Sequence, residues 1–180
     1  MDEIRQIGRE IERACGCISN DDLQHTVDAI EGRGRVFVYG TGRSGLMLRA
    51  FAMRLMQMGI RSYVVGETIC PSIAKGDLLV VGSASGRTES VLLIASSAIR
   101  QGAHLLVISG TKESPLAEIK TPDFVIDAPN KFGEGGNSIQ PMGSLFEQTL
   151  LATLDAIILR MLNDHETTRD SMATEHANLE

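Results

Sequence analysis

From Arg35 onward the chain alternates short apolar runs with longer mixed segments. The apolar runs 35–39, 61–65, 77–82, 103–109 and 123–127 have strand length and are rich in Val, Leu and Ile. The spacing between them predicts helices at about 43–58, 87–101 and 114–119, with Gly59 and Gly102 where a residue closing a helix is expected. Upstream, Ile4, Ile7, Ile11 and Ala14 recur at helical spacing over residues 2–14. Ser19, with Asp22 three positions on, predicts the start of a second helix reaching about Gly32. A last long helix is predicted from about Ser144 to Asn163, and a short one after Thr167.

Strand and helix in alternation, with the strands apolar throughout, imply an α/β fold around a doubly wound, five-stranded parallel sheet covered on both faces. Ligands in such sheets bind at the carboxyl ends of the strands, where the strand order reverses. With the flavodoxin-like order 2-1-3-4-5, that crevice lies between the first and third strands. The helix at 43–58 departs from the usual amphipathic stripe, being apolar nearly all round and interrupted only by Arg49, Arg54 and Gln57. We expect one side of it to pack on its own sheet and the other on a second subunit, with its methionines serving packing.

The first and third strands both run into loops of Gly, Ser and Thr: Gly40-Thr-Gly-Arg-Ser-Gly45 after one, and Ser83-Ala-Ser-Gly-Arg-Thr88 after the other. Helix-start N–H groups point outward unpaired and the helix dipole favours anions there, so the two turns describe a pocket for a phosphate and its attached polyol. Arg43 and Arg87 suit phosphate, and a positive charge in a first helical turn opposes the dipole, although both can equally be solvated side chains. The first loop also fits the G-x-G-x-x-G dinucleotide fingerprint, with Glu67 near the place of a ribose-binding acid, which keeps a dehydrogenase in view.

Composition narrows the field. The chain has 180 residues, 43% hydrophobic and 22% charged, enough for one well-packed domain. A net charge of −6 argues against a nucleic-acid surface. There is no long uncharged apolar stretch to span a membrane, and Met1-Asp-Glu-Ile-Arg5 lacks a signal-peptide shape. Three cysteines make no disulfide ladder, so a reducing cytoplasm is expected. Cys15, Cys17 and the nearby His25 lack an evident fourth metal ligand, and two buried thiols at a helix end is the simpler expectation.

Two acid–base candidates have ordinary alternatives. Ser144-Leu-Phe-Glu147 reads as an S-x-x-E capping box, or else Glu147 is a carboxylate poised for general-base chemistry. His176 sits near the end of the given sequence, where a solvated side chain is usual. Residues 128–142, with Gly133, Gly135, Gly136, Asn137 and Gln140, are either a mobile lid or an ordinary connection.

The two loops resemble the signature of the sugar isomerase (SIS) domain, which binds phosphosugars. More narrowly, Tyr39–Gly45, Val65–Thr68 with Pro71–Asp77, Pro141–Glu147 and the terminal His176–Glu180 resemble the 6-phospho-3-hexuloisomerases. That family's second loop usually reads S-G-S-G-E-T, where this chain has Ala84 and Arg87, with the Ser and Thr positions kept. The resemblance implies a single SIS domain over 1–180: an N-terminal helical segment to 34, an α/β core at 35–127 and C-terminal helices at 143–180. It implies interconversion of 3-hexulose 6-phosphate and fructose 6-phosphate in the ribulose monophosphate route of formaldehyde fixation, without a cofactor or metal, by a homotetramer. By position, Ser83, Ser85 and Thr88 would bind phosphate and Gly42, Arg43 and Ser44 would line the sugar site. Gly86 and Arg87 of the second loop would also bind substrate, Glu147 would be the base, and His176 would enter the site of a neighbouring subunit.

Other readings share these features. An aldose–ketose isomerase, such as one acting on arabinose 5-phosphate, would use the same loops and base. A non-catalytic phosphosugar sensor would carry a DNA-binding helix-turn-helix, for which residues 1–34 are acidic and too short.

Overall fold

The computed structural model describes residues 2–164 and 169–176. Two helices come first, α1 (Glu3–Cys15) and α2 (Asn20–Glu31). The α/β core follows as β1 (Val36–Tyr39), α3 (Gly42–Gln57), β2 (Ser62–Val64), β3 (Leu78–Ser83), α4 (Glu89–Arg100), β4 (His104–Ser109), α5 (Pro115–Ile119) and β5 (Phe124–Val125). Helices α6 (Ser144–Asp164) and α7 (Arg169–Thr174) complete the fold. The sheet is wholly parallel in the order β2-β1-β3-β4-β5, as the sequence predicts.

The two-residue period of the strands sorts the core into two layers. Val36, Val38, Leu78, Val80, Leu106 and Ile108 face α1, α2, α3 and α6, where Leu48, Phe51, Phe146 and Leu150 meet them. Phe37, Leu79, Val81, Leu105 and Val107 face the other way, onto Val91, Ala95 and Ala98 of α4 and Leu116 of α5. In register, Tyr39 lies beside Val81, so β1 and β3 deliver their following loops to one place.

Several ends differ from expectation for local reasons. Strand β2 spans three residues instead of five, yet the Val36 amide donates to the Arg61 carbonyl and the Val65 amide to the Val38 carbonyl, so the ladder continues past its ends. Strand β5 shortens to Phe124–Val125, and beside it the Asp123 carboxylate accepts from the Val107 amide at 2.7 Å. Helix α4 starts at Glu89 after Thr88, so Arg87 precedes the helix instead of occupying its first turn. Cys15 ends α1 half-buried and Cys17 is exposed, which corrects the expectation of two buried thiols. No described helix is long and apolar enough to cross a membrane.

At the amino ends of β1 and β3, Arg35 grips Asp77 through two parallel bonds, Nε to Oδ1 at 2.9 Å and Nη2 to Oδ2 at 2.7 Å. The Ala74 amide adds a bond to Oδ2. Burial by itself raises the Asp77 carboxyl, but the Arg35 bonds and charge with the Ala74 amide outweigh it and hold the group below the usual aspartate range.

Candidate active site at the carboxyl ends of β1 and β3

The turn from β1 into α3 is tight because it is built on glycines. A Cβ on Gly45 would sit 2.4 Å from the Gly40 carbonyl oxygen, so only glycine lets the helix begin this close to the strand. The second loop has the same economy. Gly86 holds φ +59°, and a Cβ there would meet the Ser114 hydroxyl at 2.2 Å.

These two helix starts differ from those of α2 and α5. Ser19 caps α2 and Ser114 caps α5, each accepting a bond from a first-turn amide. Thr41 and Thr88 precede α3 and α4 without turning their hydroxyls back onto the helix. Hydroxyl and helix-start N–H groups are thereby left to face outward together. Within the second loop, the Gly86 amide donates to Ser83 Oγ at 3.2 Å and the Arg87 amide to Ser85 Oγ at 3.3 Å, which fixes both buried serines.

Both starts open on one cavity of about 430 Å³. Gly42, Arg43 and Ser44 line it from α3, Ser83, Ser85 and Thr88 from the second loop, and Glu147 from α6. Gly86 stands behind the loop, against Ser114. Arg87 faces an adjoining recess beside Lys131, Phe132 and Glu134, and its nearest ion-pair atom lies 3.9 Å from the Glu134 carboxylate. A cavity of about 320 Å³ at the other ends of the strands, beside Arg33 and Arg61, contains none of the sequence-predicted residues.

Glu147 does not close a capping box. Helix α6 begins at Ser144 itself, and the Glu147 amide makes the ordinary helical bond to the Gly143 carbonyl. The carboxylate turns instead to Arg43, with Oε2 2.7 Å from Nε. Glu147 is 16% exposed and Arg43 58%. Burial pushes the Glu147 carboxyl above the ordinary glutamate value, and the Arg43 charge and bond offset only part of that rise. A carboxylate raised toward neutrality and facing a cavity has the character of a general base.

His176 is exposed, after α7, and lies outside the cavity lining of its own chain. The rest of the terminal stretch, 177–180, falls outside the described residues. Glu67 pairs with Arg49 away from the cavity, so the acid of the dinucleotide reading is not at this site. Among the described residues no three His, Cys, Asp or Glu side chains gather as a metal site.

The 128–142 segment proves to be a fastened connection. Its far end is held by Glu10 of α1, whose carboxylate accepts from Ser138 Oγ at 2.7 Å, the Ile139 amide at 2.8 Å and Gln140 Nε2 at 3.0 Å. Arg13 Nη2 donates to the Asn137 carbonyl at 2.6 Å. Its near end is folded by Asn130, whose Oδ1 accepts from the amides of Phe132 and Glu134. Asn130, Lys131, Pro141 and Met142 consequently line the cavity, a contribution the sequence reading missed. For Asn130 and Lys131 the available signal was their place shortly after a strand's carboxyl end.

Residues 29–158 match the SIS domain family. The chain is 39% identical to 3-hexulose-6-phosphate isomerase of Bacillus subtilis over 98% of this chain and 97% of that protein. It is 43% identical to the enzyme of that name from Mycobacterium gastri, over 82% and 74%. A crystal structure from Methanococcus jannaschii, described as inferring a molecular function of 3-hexulose-6-phosphate isomerase, superposes with a TM-score of 0.85, 34% identity and full coverage of both chains.

Proposed function

The chain belongs to the SIS domain family, and from that membership we propose that it is an isomerase interconverting 3-hexulose 6-phosphate and fructose 6-phosphate. The carrying observation is the cavity itself, where two outward-facing helix starts rich in hydroxyls stand opposite a half-buried carboxylate. The relatives sharing a third or more of the sequence favour this substrate pair over an aldopentose phosphate.

Ser83, Ser85 and Thr88 bind the phosphate. Gly42, Arg43 and Ser44 line the sugar, and Arg87 stands at the outer rim. Moving the ketone from C3 to C2 breaks the C2–H bond and forms a C3–H bond through a 2,3-enediolate. Glu147 takes the proton from C2 and returns it at C3. A second group must carry the proton between O2 and O3, and His176 of a neighbouring subunit is assigned that part. The phosphate, remote from the chemistry, supplies binding energy that orients the reacting carbons. The chain works as a homo-oligomer, a tetramer by family resemblance. This assembly is supported by Leu46, Met53 and Met56, which α3 leaves exposed. Its three free cysteines suit a reducing cytoplasm. The reaction follows fixation of formaldehyde onto ribulose 5-phosphate.

A panel of 3-hexulose 6-phosphate, arabinose 5-phosphate and NAD(H) tests the reading. Turnover of the hexulose alone is expected. Turnover of arabinose 5-phosphate in its place, or tight binding of NAD(H), would overturn it.

A further inference from the structure

We propose that Lys131 is the cation that reads the substrate phosphate, reaching it from the β5–α6 connection opposite the Ser83–Thr88 loop. The inference rests on the phosphosugar reading of the same cavity. Three charged side chains line that cavity, Arg43, Lys131 and Glu147. Arg43 is matched by Glu147 at 2.7 Å, so the lining owes its formal positive charge to Lys131. A phosphate monoester carries about −1.5 to −2 charge near neutrality. A helix start offers about half a positive charge, and hydroxyls none, so the loop alone leaves most of the dianion unbalanced.

Arg87, the other candidate cation, is less suited. It lies toward the adjoining recess and is countered by Glu134, whose other carboxylate oxygen accepts from Asn130 Nδ2 at 3.0 Å. Lys131 borders the recess as well as the cavity, beside Ser85 and Thr88 in both. Its ammonium rests over the Phe132 ring, 5.0 Å from the centroid. An exposed cation–π contact is weaker than a charge-assisted bond to phosphate, so the side chain can exchange one for the other. The backbone beneath it is set by the Asn130 turn, which fixes where the lysine stem starts.

Calorimetric titration of the full chain with inorganic phosphate, and separately with fructose 6-phosphate, tests the assignment at low ionic strength. K131M should weaken both about ten- to a hundredfold, the range for losing a bond between charged groups. K131R should bind within about threefold of the natural protein, because the charge is kept. R87M should weaken phosphate less than K131M does. Lys131 is exposed, so the substitutions leave the core untouched. Unchanged phosphate affinity in K131M, or a larger loss in R87M, would overturn the inference. Failure of the natural protein to bind fructose 6-phosphate would instead overturn the proposed substrate, while the inorganic phosphate titration would still read Lys131.

Discussion

The Glu147 carboxylate lies 2.7 Å from Arg43 Nε, joining the first turns of α6 and α3 across the mouth of the cavity. One residue of this pair is largely enclosed and the other largely solvated, so the pair serves the cavity more than the core. An ion pair with one partner in solvent contributes little to stability.

Glu147→Gln separates chemistry from structure. Glutamine keeps the shape and can still accept from Arg43, but it cannot take the C2 proton. Turnover should fall by about 10² to 10⁴, with Tm nearly unchanged by calorimetry. Near-normal turnover would remove Glu147 from the mechanism.

The acid limb of the kcat/KM profile should lie above the ordinary glutamate range, because burial raises the Glu147 carboxyl and the base must be ionised. Arg43→Met removes both influences that lower it, so the limb should move further toward alkaline pH. The stability sign follows from the same shift. Folding favours the protonated acid, so this contribution is present below the unfolded-state value and is lost as pH rises through the folded one. A limb that moves toward acid in Arg43→Met would contradict the assignment.

Ser83→Ala, Ser85→Ala and Thr88→Ala should each weaken fructose 6-phosphate binding by about 1–2 kcal/mol, the order expected for a hydrogen bond to a charged group. Titration calorimetry reads this directly. Unchanged affinity in all three would move the phosphate elsewhere.

Asp77→Asn breaks the paired grip on Arg35 at the amino ends of the strands, away from the cavity. It should cost about 2–3 kcal/mol at neutral pH, because the carboxylate is buried and doubly bonded. Folding favours the ionised Asp77, so its contribution is present above the unfolded-state carboxyl value and lost as pH falls through the lower folded one. Chemical denaturation of both proteins from neutral to acid pH should show the difference closing, with the Michaelis constant unaffected.

Leu46→Lys with Met53→Lys places two charges on the exposed face of α3. Light scattering should give a multiple of the 19.4 kDa chain mass for the natural protein and a lower mass for the double variant. His176→Asn should lower turnover in the assembled protein, by less than Glu147→Gln. A natural protein of single-chain mass would refute both the assembly and the shared site.

Much of the fold was legible in the sequence because its strands are apolar on both faces and its helices end at glycines such as Gly59 and Gly102. The two loops were legible because hydroxyls and glycines at a strand's end have few other uses. What escaped depends on partners distant in sequence. S-x-x-E at Ser144–Glu147 satisfies the capping pattern, but α6 starts one residue earlier than that pattern requires, after the Pro141–Gly143 turn in which Met142 takes φ +58°. No local pattern shows that Glu147 is drawn to Arg43. Asn130 and Lys131 were hidden for a similar reason, since their stretch reads as a glycine-rich loop until Glu10 is seen to fasten its other end.

That fastening has a kinetic consequence. The Glu10 bonds join groups 128 to 130 residues apart in the chain, so their loop-closure entropy is recovered only once the packing of α1 on α6 has brought the two regions together. The cavity is therefore expected to be finished late in folding, and its α6 wall can form only once the start of that helix has been synthesised. Weakening the clasp should accelerate unfolding more than it slows folding, the mark of a contact absent from the transition state.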